Sequence, residues 1–304
     1  MLRGLAIFIL LTLNLALWGT LVFLGGLVKL LMPTKPSRTR VVRGLAWLAE
    51  RWVGWNNDIF DALLPTKWDI TGVDGIRYEG RYLIISNHIS WVDIFAVLRA
   101  FHGHAAFIRF FLKHQLIWSP IVGQACAALE FPFMHRYTPE ELQKHPEKRG
   151  KDLETARRLC RRYRFIPVAI LNFVEGTRFS RKKHIEQESP YRHLLRPRAG
   201  GISFALASLG ENLDAMFDVT IAYPHHDLTM WQFVTGKADR ITIRVRRLDV
   251  PPDFLTPAVT EQGPVREQFK AWIDQVWREK DEQLDQLLNR GSRQHTAGSE
   301  ETRC

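Results

Sequence analysis

The feature that most constrains this chain is an uncharged apolar run near its amino terminus, Leu5 to Val28. At about 1.5 Å of rise per residue, a helix over this run is long enough to cross the hydrocarbon core of a bilayer. A signal peptide is the alternative, but the run is longer than an ordinary signal-peptide core and no convincing small-residue cleavage site follows it. The sequence therefore predicts an amino-terminal transmembrane helix, with a re-entrant hairpin broken near Gly25-Gly26 left open.

Charges around the run predict its orientation. Only Arg3 and the amino terminus precede it, whereas five basic residues follow: Lys29, Lys35, Arg38, Arg40 and Arg43. The positive-inside rule places the carboxyl-terminal side in the cytoplasm. We expect residues 1–40 to form the membrane segment and a basic linker. Residues 41–64, apolar at helical spacing and bearing Trp47, Trp52 and Trp55, are predicted to form an interfacial amphipathic helix, with ordinary packing on the domain as the alternative.

From residue 65 onward, apolar strand patterns alternate with helical ones. The candidate strands are Trp68–Gly72, Arg81–Ser86, Ala105–Ile108, Phe165–Val174, Val219–Tyr223 and Ile241–Arg246. The candidate helices are Trp91–Ala100, Ile117–Ala125, Lys151–Tyr163, Gly200–Gly210 and Val265–Leu288. This alternation predicts an α/β domain over residues 65–290, with a central, mostly parallel or mixed sheet and flanking helices. The polar residues 291–304 are predicted to be a disordered tail.

Composition narrows the partners of the chain. Its 304 residues carry a net charge of +10 and a pI of about 9.7, which favours anionic partners such as a phospholipid surface. We find no recognisable nucleic-acid-binding module, so we expect no nucleic acid partner. Three widely spaced cysteines suggest no disulfide framework and indicate a reducing compartment.

A histidine and an aspartate stand at a predicted strand-to-helix turn. His88 follows the apolar strand ending at Ser86, and Asp93 lies in the first turn of the next helix. A neutral imidazole there can accept a proton, and a carboxylate on its other nitrogen can fix the tautomer. An activated acyl donor such as a thioester would then need no serine or cysteine nucleophile. The alternative is that Asp93, in Ser90-x-x-Asp93, only caps the helix.

Two further groups of residues suggest an anion site. Glu175-Gly176-Thr177-Arg178 ends an apolar strand, where glycine allows close backbone approach and Arg178 offers a fork for phosphate or carboxylate. Lys113 begins a second group that closes at Arg136. Each of these two cations, taken singly, is more often an ordinary surface residue.

Together these groups resemble the glycerolipid acyltransferase family, over roughly residues 65–285. Asn87-His88-x-x-x-x-Asp93 resembles its first motif, Lys113 to Arg136 its second, Phe173 to Ser180 its third and Val219 to Pro224 its fourth. Segments 178–184, 193–201 and 272–281 resemble the branch acting on 1-acylglycerol-3-phosphate and lysocardiolipin. The whole chain is similar to bacterial members with an amino-terminal membrane segment. In the second motif, Ala127 to Glu130 stands where the family usually has a glycine, so the loop before Arg136 departs from the pattern.

The resemblance implies an activity and its residues. Acyl-CoA is the co-substrate and no other cofactor or metal is needed; a lysophospholipid hydroxyl is the acceptor, foremost that of 1-acyl-sn-glycerol-3-phosphate. Lysophosphatidylglycerol, lysocardiolipin and lysophosphatidylinositol are alternative acceptors. His88 and Asp93 form the catalytic pair. Lys113, Arg136 and Arg178 hold phosphate, while Glu175, Gly176 and Thr177 shape the acceptor site. The implied location is the bacterial inner membrane, with the catalytic domain facing the cytoplasm.

Three other functions fit the sequence less well: a serine hydrolase, a metal site and a non-catalytic lipid-binding protein. Gly201-Ile202-Ser203 nearly fits a hydrolase nucleophile elbow, but the segment before it is polar and broken by proline rather than a buried strand. Histidines at 102 and 104, or at 225 and 226 beside Asp227, lack further metal ligands at tell-tale spacing. A non-catalytic lipid-binding protein would have no use for an intact pair at His88 and Asp93.

Overall fold

The computed structural model describes residues 1–134, 145, 163, 166–223 and 228–301, with side chains as far as residue 289. The helices are α1 (Leu2–Leu31), α2 (Lys35–Leu63), α3 (Val92–Phe101), α4 (Val122–Ala128), α5 (Arg181–Glu186), α6 (Ala199–Leu209), α7 (Met230–Val234) and α8 (Pro264–Glu301). The strands are β1 (Lys67–Thr71), β2 (Arg81–Ser86), β3 (Ile108–Phe110), β4 (Leu112–Lys113), β5 (Phe133–Met134), β6 (Val168–Phe173), β7 (Ala215–Ala222) and β8 (Arg240–Leu248).

Six of these strands form one sheet, in the order β1-β8-β7-β2-β6-β3. The four strands from β7 to β3 are parallel, whereas β8 runs antiparallel to β7 and parallel to β1. Short strands β4 and β5 pair separately. The predicted α/β class, with a mostly parallel central sheet and flanking helices, is confirmed.

Strand β2 lies at the centre of the sheet and is buried on both faces, as parallel strands usually are. Tyr82 and Ile84 belong to the core under α2 and α3. Leu83 and Ile85 point the other way, into the core under α6 and α8. A strand enclosed on both faces keeps a fixed register, so the residue that follows it is placed accurately.

Helix α1 packs along the domain instead of projecting from it. Arg3, near its start, donates a hydrogen bond to the carbonyl of Thr235 after α7. Lys29, near its end, forms a 2.9 Å ion pair with Glu130 after α4. Small residues allow the close approach, since a Cβ on Gly4 would lie 2.6 Å from the Thr235 side chain. The helix is continuous through Gly25-Gly26, and the chain turns only after Leu31.

A buried polar pair joins α1 to α2. The Asn14 amide nitrogen donates to Oδ1 of Asn56 at 3.0 Å and to the carbonyl of Trp52 at 3.1 Å. The opposite face of α1 exposes a row of large apolar side chains, among them Phe8, Leu13, Leu17 and Leu24. Within the described residues, α1 is the one helix that is long and apolar enough to cross a membrane.

Several element boundaries differ from the sequence prediction. Helix α2 begins at Lys35, because Thr34 caps it with a hydrogen bond from the Ser37 amide, so the predicted linker is largely helical. The helix predicted over Ile117–Ala125 is interrupted at Pro120 and Ile121. Ile121 has a φ of +61°, and α4 starts at the next residue. The predicted helix Lys151–Tyr163 lies outside the described residues, except Tyr163.

The carboxyl-terminal helix α8 runs to Glu301, past the point where composition predicts disorder. Its packed part buries Phe269, Ile273, Trp277 and Leu284. Once packing has nucleated the helix, each further residue adds one hydrogen bond at little cost, so even a polar sequence can continue it. For this reason the helix continues through residues 291–301, where composition predicts a disordered tail.

Candidate active site

Three neighbouring parallel strands deliver the candidate site. Strand β2 leads into His88, β6 into Glu175 and β7 into Tyr223. Because the carboxyl ends of parallel strands meet at one edge of a sheet, residues far apart in sequence converge there. This edge is where open α/β sheets usually bind their ligands.

The His88 imidazole is fixed from several sides. Its Nδ1 lies 2.8 Å from Oδ2 of Asp93, and its ring stacks on Phe173 with 3.9 Å between centroids. The His88 backbone amide donates to Glu175 at 3.1 Å, and its carbonyl accepts from the Phe179 amide at 2.6 Å. The side chain remains 14% exposed. Within the described residues no hydrogen bond to Nε2 is present, so this nitrogen is available to a ligand.

Asp93 is fully buried and accepts four hydrogen bonds. Its Oδ2 receives the Ile89 amide at 2.6 Å, the Ser90 amide at 2.9 Å and His88 Nδ1. Its Oδ1 receives the Tyr223 hydroxyl. The two interpretations of Asp93 are therefore compatible, because one carboxylate both holds the turn before α3 and bonds the histidine.

Tyr223 is the residue that sequence reasoning overlooked. It follows β7, is almost completely buried and donates its hydroxyl to Asp93. Burial, and then the negative charge of Asp93, raises the pKa of the phenol well above its ordinary value. Its contact with Asp93 joins residues 130 positions apart. A tyrosine ending an apolar strand was the available signal, but no local pattern connects it to the histidine.

Asn87 fastens the β2 end to β7. Its amide nitrogen donates to the Ile221 carbonyl and its Oδ1 accepts from the Ile221 amide, both at 2.9 Å. Asn87 is fully buried. The Asn87 side chain thus extends the hydrogen bonding between β2 and β7 to the point where the chain turns toward His88.

Glu175 supports the site from behind. It is buried, and its carboxyl oxygens accept from the amides of His88 and Leu195, the latter at 3.2 Å. Burial raises the pKa of Glu175 to about 8, while its two amide hydrogen bonds act in the opposite direction. The structure therefore places Glu175 where it joins the backbone at His88 to the backbone at Leu195.

The next two residues form a tight turn. Gly176 has φ of +68°, in the left-handed region that favours glycine, and a Cβ there would lie 3.0 Å from the Arg198 side chain. The Thr177 hydroxyl accepts from Nζ of Lys183 at 2.7 Å. Both residues therefore shape the backbone that carries Arg178.

A cleft of about 850 Å³ opens beside this turn. It is lined on one side by Ile89, Ser90 and Trp91 of the His88 turn. Its other walls supply the basic side chains Arg178, Arg181, His184, Arg192 and His193. Arg178 is exposed, with Cζ 4.9 Å from the centre of the Trp91 ring. The cleft thus combines the exposed edge of the His88 turn with a cationic wall suited to an anionic headgroup.

The second predicted group lies apart from this cleft. Lys113 is exposed on β4 and is not among the cleft-lining residues. Gly123, the second residue of α4, permits a close approach to the preceding turn, since a Cβ there would lie 2.1 Å from the Leu116 carbonyl oxygen. Arg136 lies outside the described residues. The structure thus brings His88, Asp93 and the Glu175–Arg178 turn together, and it leaves the phosphate role of Lys113 untested.

The rival sites have different surroundings. Ser203 is buried within α6, and its hydroxyl donates to the Gly200 carbonyl at 3.0 Å, which is a helical contact rather than a nucleophile elbow. Within the part of the chain that the structure describes, no group of three or more histidine, cysteine, aspartate or glutamate side chains is arranged to hold a metal ion. The candidate ligands at residues 225–227 lie outside that part.

Comparison with known proteins agrees with the fold. A family model described as Acyltransferase matches residues 67–223, more than half of the chain. Lysocardiolipin acyltransferase 1 of Danio rerio is 27% identical, over 94% of this chain and 71% of the relative. A probable 1-acyl-sn-glycerol-3-phosphate acyltransferase 5 of Arabidopsis thaliana is 26% identical, over 90% and 69%. The chain therefore belongs to the glycerolipid acyltransferase family.

A solved structure shares the fold. The 1-acyl-sn-glycerophosphate acyltransferase PlsC of Thermotoga maritima superposes with a TM-score of 0.53 at 16% identity, covering 93% of this chain and 95% of that one. The family match makes the protein an acyltransferase, and this structural likeness shows the shared α/β fold.

Proposed function

We propose that the protein transfers a fatty acyl group from acyl-CoA to the free hydroxyl of 1-acyl-sn-glycerol-3-phosphate, giving phosphatidic acid. The observation that carries the proposal is the His88–Asp93 pair, with Nδ1 bonded and Nε2 free of protein partners among the described residues, beside a cationic cleft. The names of the relatives support this class of acceptor.

The proposed reaction needs only the chain's own groups. Nε2 of His88 takes the proton of the acceptor hydroxyl while that oxygen attacks the thioester carbonyl. Asp93 holds the imidazole in the tautomer with a proton on Nδ1 and stabilises the imidazolium that forms. The tetrahedral adduct then expels the CoA thiolate, which receives the proton from Nε2. No metal or further cofactor enters this scheme.

Arg178 is the proposed partner of the acceptor phosphate. Its guanidinium is exposed at the cleft and offers two parallel donors to phosphate oxygens. Its stacking on Trp91 ties it to the turn that carries His88. A phosphate bound there would bring the adjacent glycerol hydroxyl toward that turn.

An apolar cavity of about 140 Å³ is the proposed site of the donor's acyl chain. It lies between α1, α2, α3 and α4, and its lining carries no charged side chain. Ile94 and Leu98 line it, and Ile94 directly follows Asp93 in the chain. Burying methylene groups there is favourable by about 0.8 kcal/mol each.

Helices α1 and α2 are the proposed membrane attachment. Because both ends of α1 contact the catalytic domain, we favour a helix that lies in one leaflet with its exposed apolar row toward the lipid tails. This arrangement is the alternative to the spanning helix that composition predicts. The basic residues after α1 and soluble acyl-CoA favour the cytoplasmic leaflet of a bacterial inner membrane.

Lysocardiolipin is a second candidate acceptor. Besides Arg178, the cleft contains Arg181 and also Arg192, whose guanidinium pairs with Asp285 at 2.8 Å. An acceptor with two phosphates would use the additional arginines. The lysocardiolipin relatives carry names consistent with this choice.

The deciding experiment measures CoA release by purified protein given acyl-CoA and a panel of lysophospholipids in detergent micelles. We expect lysophosphatidic acid to be the best acceptor, and His88→Ala to remove nearly all turnover. His104→Ala, on the loop after α3, is the matched control and should keep it. Near wild-type turnover in His88→Ala would show that another group is the base, and no turnover by the wild type with any acceptor would refute the proposed reaction.

A further inference from the structure

We propose that Tyr223 is a positioning residue for the reaction, acting through Asp93 on the imidazole of His88. The proposal rests on the proposed role of His88 as general base. Its basis is a chain of two hydrogen bonds: the Tyr223 hydroxyl donates to Asp93 Oδ1, and Asp93 Oδ2 accepts from His88 Nδ1.

The hydrogen bonds of Asp93 are divided unequally between its two oxygens. Oδ2 receives three donors, whereas the Tyr223 hydroxyl is the donor to Oδ1 within the described residues. An ionised carboxylate only accepts hydrogen bonds, and in a buried site each oxygen needs a donor. Tyr223 therefore supplies the contact that prevents the carboxylate from rotating about its own axis, and Oδ2 stays directed at Nδ1.

The Tyr223 hydroxyl can perform this task because its backbone is fixed. Asn87 pairs with both backbone groups of Ile221, two residues before the tyrosine. The buried ammonium of Lys280 on α8 donates to the Val219 carbonyl at 2.6 Å. The strand end is thus bonded from the β2 side and from α8, so the phenol meets Asp93 in one geometry.

The phenol is a donor only and does not exchange its proton during turnover. Burial and the charge of Asp93 raise the pKa of Tyr223 well above its usual range, so it stays protonated wherever the enzyme works. Two other buried ionisable groups bond the elements that hold this site: Glu175 accepts from the His88 amide, and Lys280 donates to the Val219 carbonyl. Within the described residues, neither of them donates to Oδ1. The tyrosine hence acts on the orientation and basicity of Asp93.

Loss of the hydroxyl should alter both rate and pH dependence. With no donor on Oδ1, Asp93 becomes a stronger acceptor, which favours the protonated imidazolium of His88. A higher pH would then be needed to generate the neutral imidazole, so the acid limb of the pH profile of kcat/KM should move to higher pH. The carboxylate would also lose its fixed orientation, and we expect kcat to fall by about tenfold to a hundredfold.

The test compares Tyr223→Phe with Tyr82→Phe. Tyr82 is a matched control because it is also buried, and its hydroxyl donates to the Arg77 carbonyl away from the site. We expect Tyr223→Phe to lower kcat and shift the acid limb upward by about half a pH unit. Tyr82→Phe should at most lower the thermal unfolding midpoint. Loss of stability in Tyr223→Phe with an unchanged kcat and pH profile would reduce the tyrosine to a structural role and overturn the proposal.

A second substitution covers the case in which Tyr223→Phe fails to fold. Tyr223→3-fluorotyrosine keeps the shape and the hydroxyl but makes that hydroxyl a stronger donor. The acid limb should then move to lower pH, opposite to the phenylalanine variant, and an unmoved limb would contradict the proposal. Since His88→Ala is measured separately, an inactive His88→Ala combined with a normal Tyr223→Phe would reject this inference alone and leave the proposed function in place.

Discussion

The His88 turn and the wall that carries Arg178 line the same cleft, but they are held in different ways. In the turn, the Asp93 carboxylate is fully buried and receives four hydrogen bonds, and the imidazole is stacked on Phe173. Arg178 is exposed and rests on the face of Trp91, itself an exposed side chain. The difference shows which part is preorganised. The His88 imidazole is held in place before substrate binds, whereas the exposed cationic side chains can adjust to the headgroup that enters.

The sharpest way to break this comparison is to loosen the preorganised part. Asp93→Asn keeps the size of the side chain but disturbs the tautomer and the support of the imidazolium, so kcat should fall by roughly a thousandfold or more. Steady-state CoA release measures the effect. The control is Asp249→Asn, the same exchange at an exposed position. A loss below tenfold would mean that Asp93 mainly caps the turn.

The adjustable wall should respond less strongly and more selectively. Arg178→Ala should raise KM for lysophosphatidic acid by about tenfold to a hundredfold and leave KM for acyl-CoA nearly unchanged. Arg178→Lys should recover only part of the loss, because a point charge cannot reproduce a two-donor fork. Arg240→Ala on the exposed end of β8 provides the control. Equal losses for acceptors with and without phosphate would remove Arg178 from the phosphate site.

The apolar cavity offers a smaller effect that sharpens the comparison. Ala125 lines it from α4, and Ala125→Phe should fill part of its volume. Turnover with long-chain acyl-CoA should then fall several-fold relative to short-chain acyl-CoA, with the short-chain substrates as the internal control. An unchanged chain-length profile would place the acyl chain elsewhere.

The last effect concerns stability behind the turn rather than turnover. Glu175 has a pKa raised from 4.5 to about 8 by burial, so its stabilising contribution is present below about pH 4.5 and is lost as pH rises through 8. Relative to Glu175→Gln, the wild type should therefore lose thermal stability between these values and change little above them. Unfolding midpoints across pH measure this, with Glu186→Gln on exposed α5 as the control. Parallel curves for wild type and Glu175→Gln would show that Glu175 does not titrate in this window.

Local sequence patterns were sufficient for the elements that bury apolar runs. The bounds of β2 are those predicted, because its run is apolar on both faces and ends in a polar turn. The contact between His88 and Asp93 was also predictable, since five residues at a strand-to-helix turn place both side chains near one another. Strand β3 starts later and is shorter than the predicted strand Ala105–Ile108. It pairs only with β6 at the edge of the sheet among the described strands, and that pairing does not follow from its own residues.

What could not be predicted depends on contacts between distant residues. Nothing near Tyr223 indicates that its hydroxyl meets Asp93, because the meeting requires the order of β7 and β2 in the sheet. The hydrogen bond from the Leu195 amide to Glu175 could not be predicted either, because it joins residues 20 positions apart. The contacts of α1 with the domain could not be predicted for the same reason. Arg3 bonds the Thr235 carbonyl after α7, and Lys29 pairs with Glu130 after α4.

The amide pair between Asn14 and Asn56 gives the α1–α2 hairpin a single alignment, since sliding either helix by one turn would separate the two amides. Both ends of α1 are also fastened to the catalytic domain. With α1 embedded, the mouth of the cleft would stand at one constant height above the lipid headgroups. An acceptor already dissolved in the leaflet could then arrive by lateral diffusion in two dimensions, and the product could leave along the same plane without crossing water.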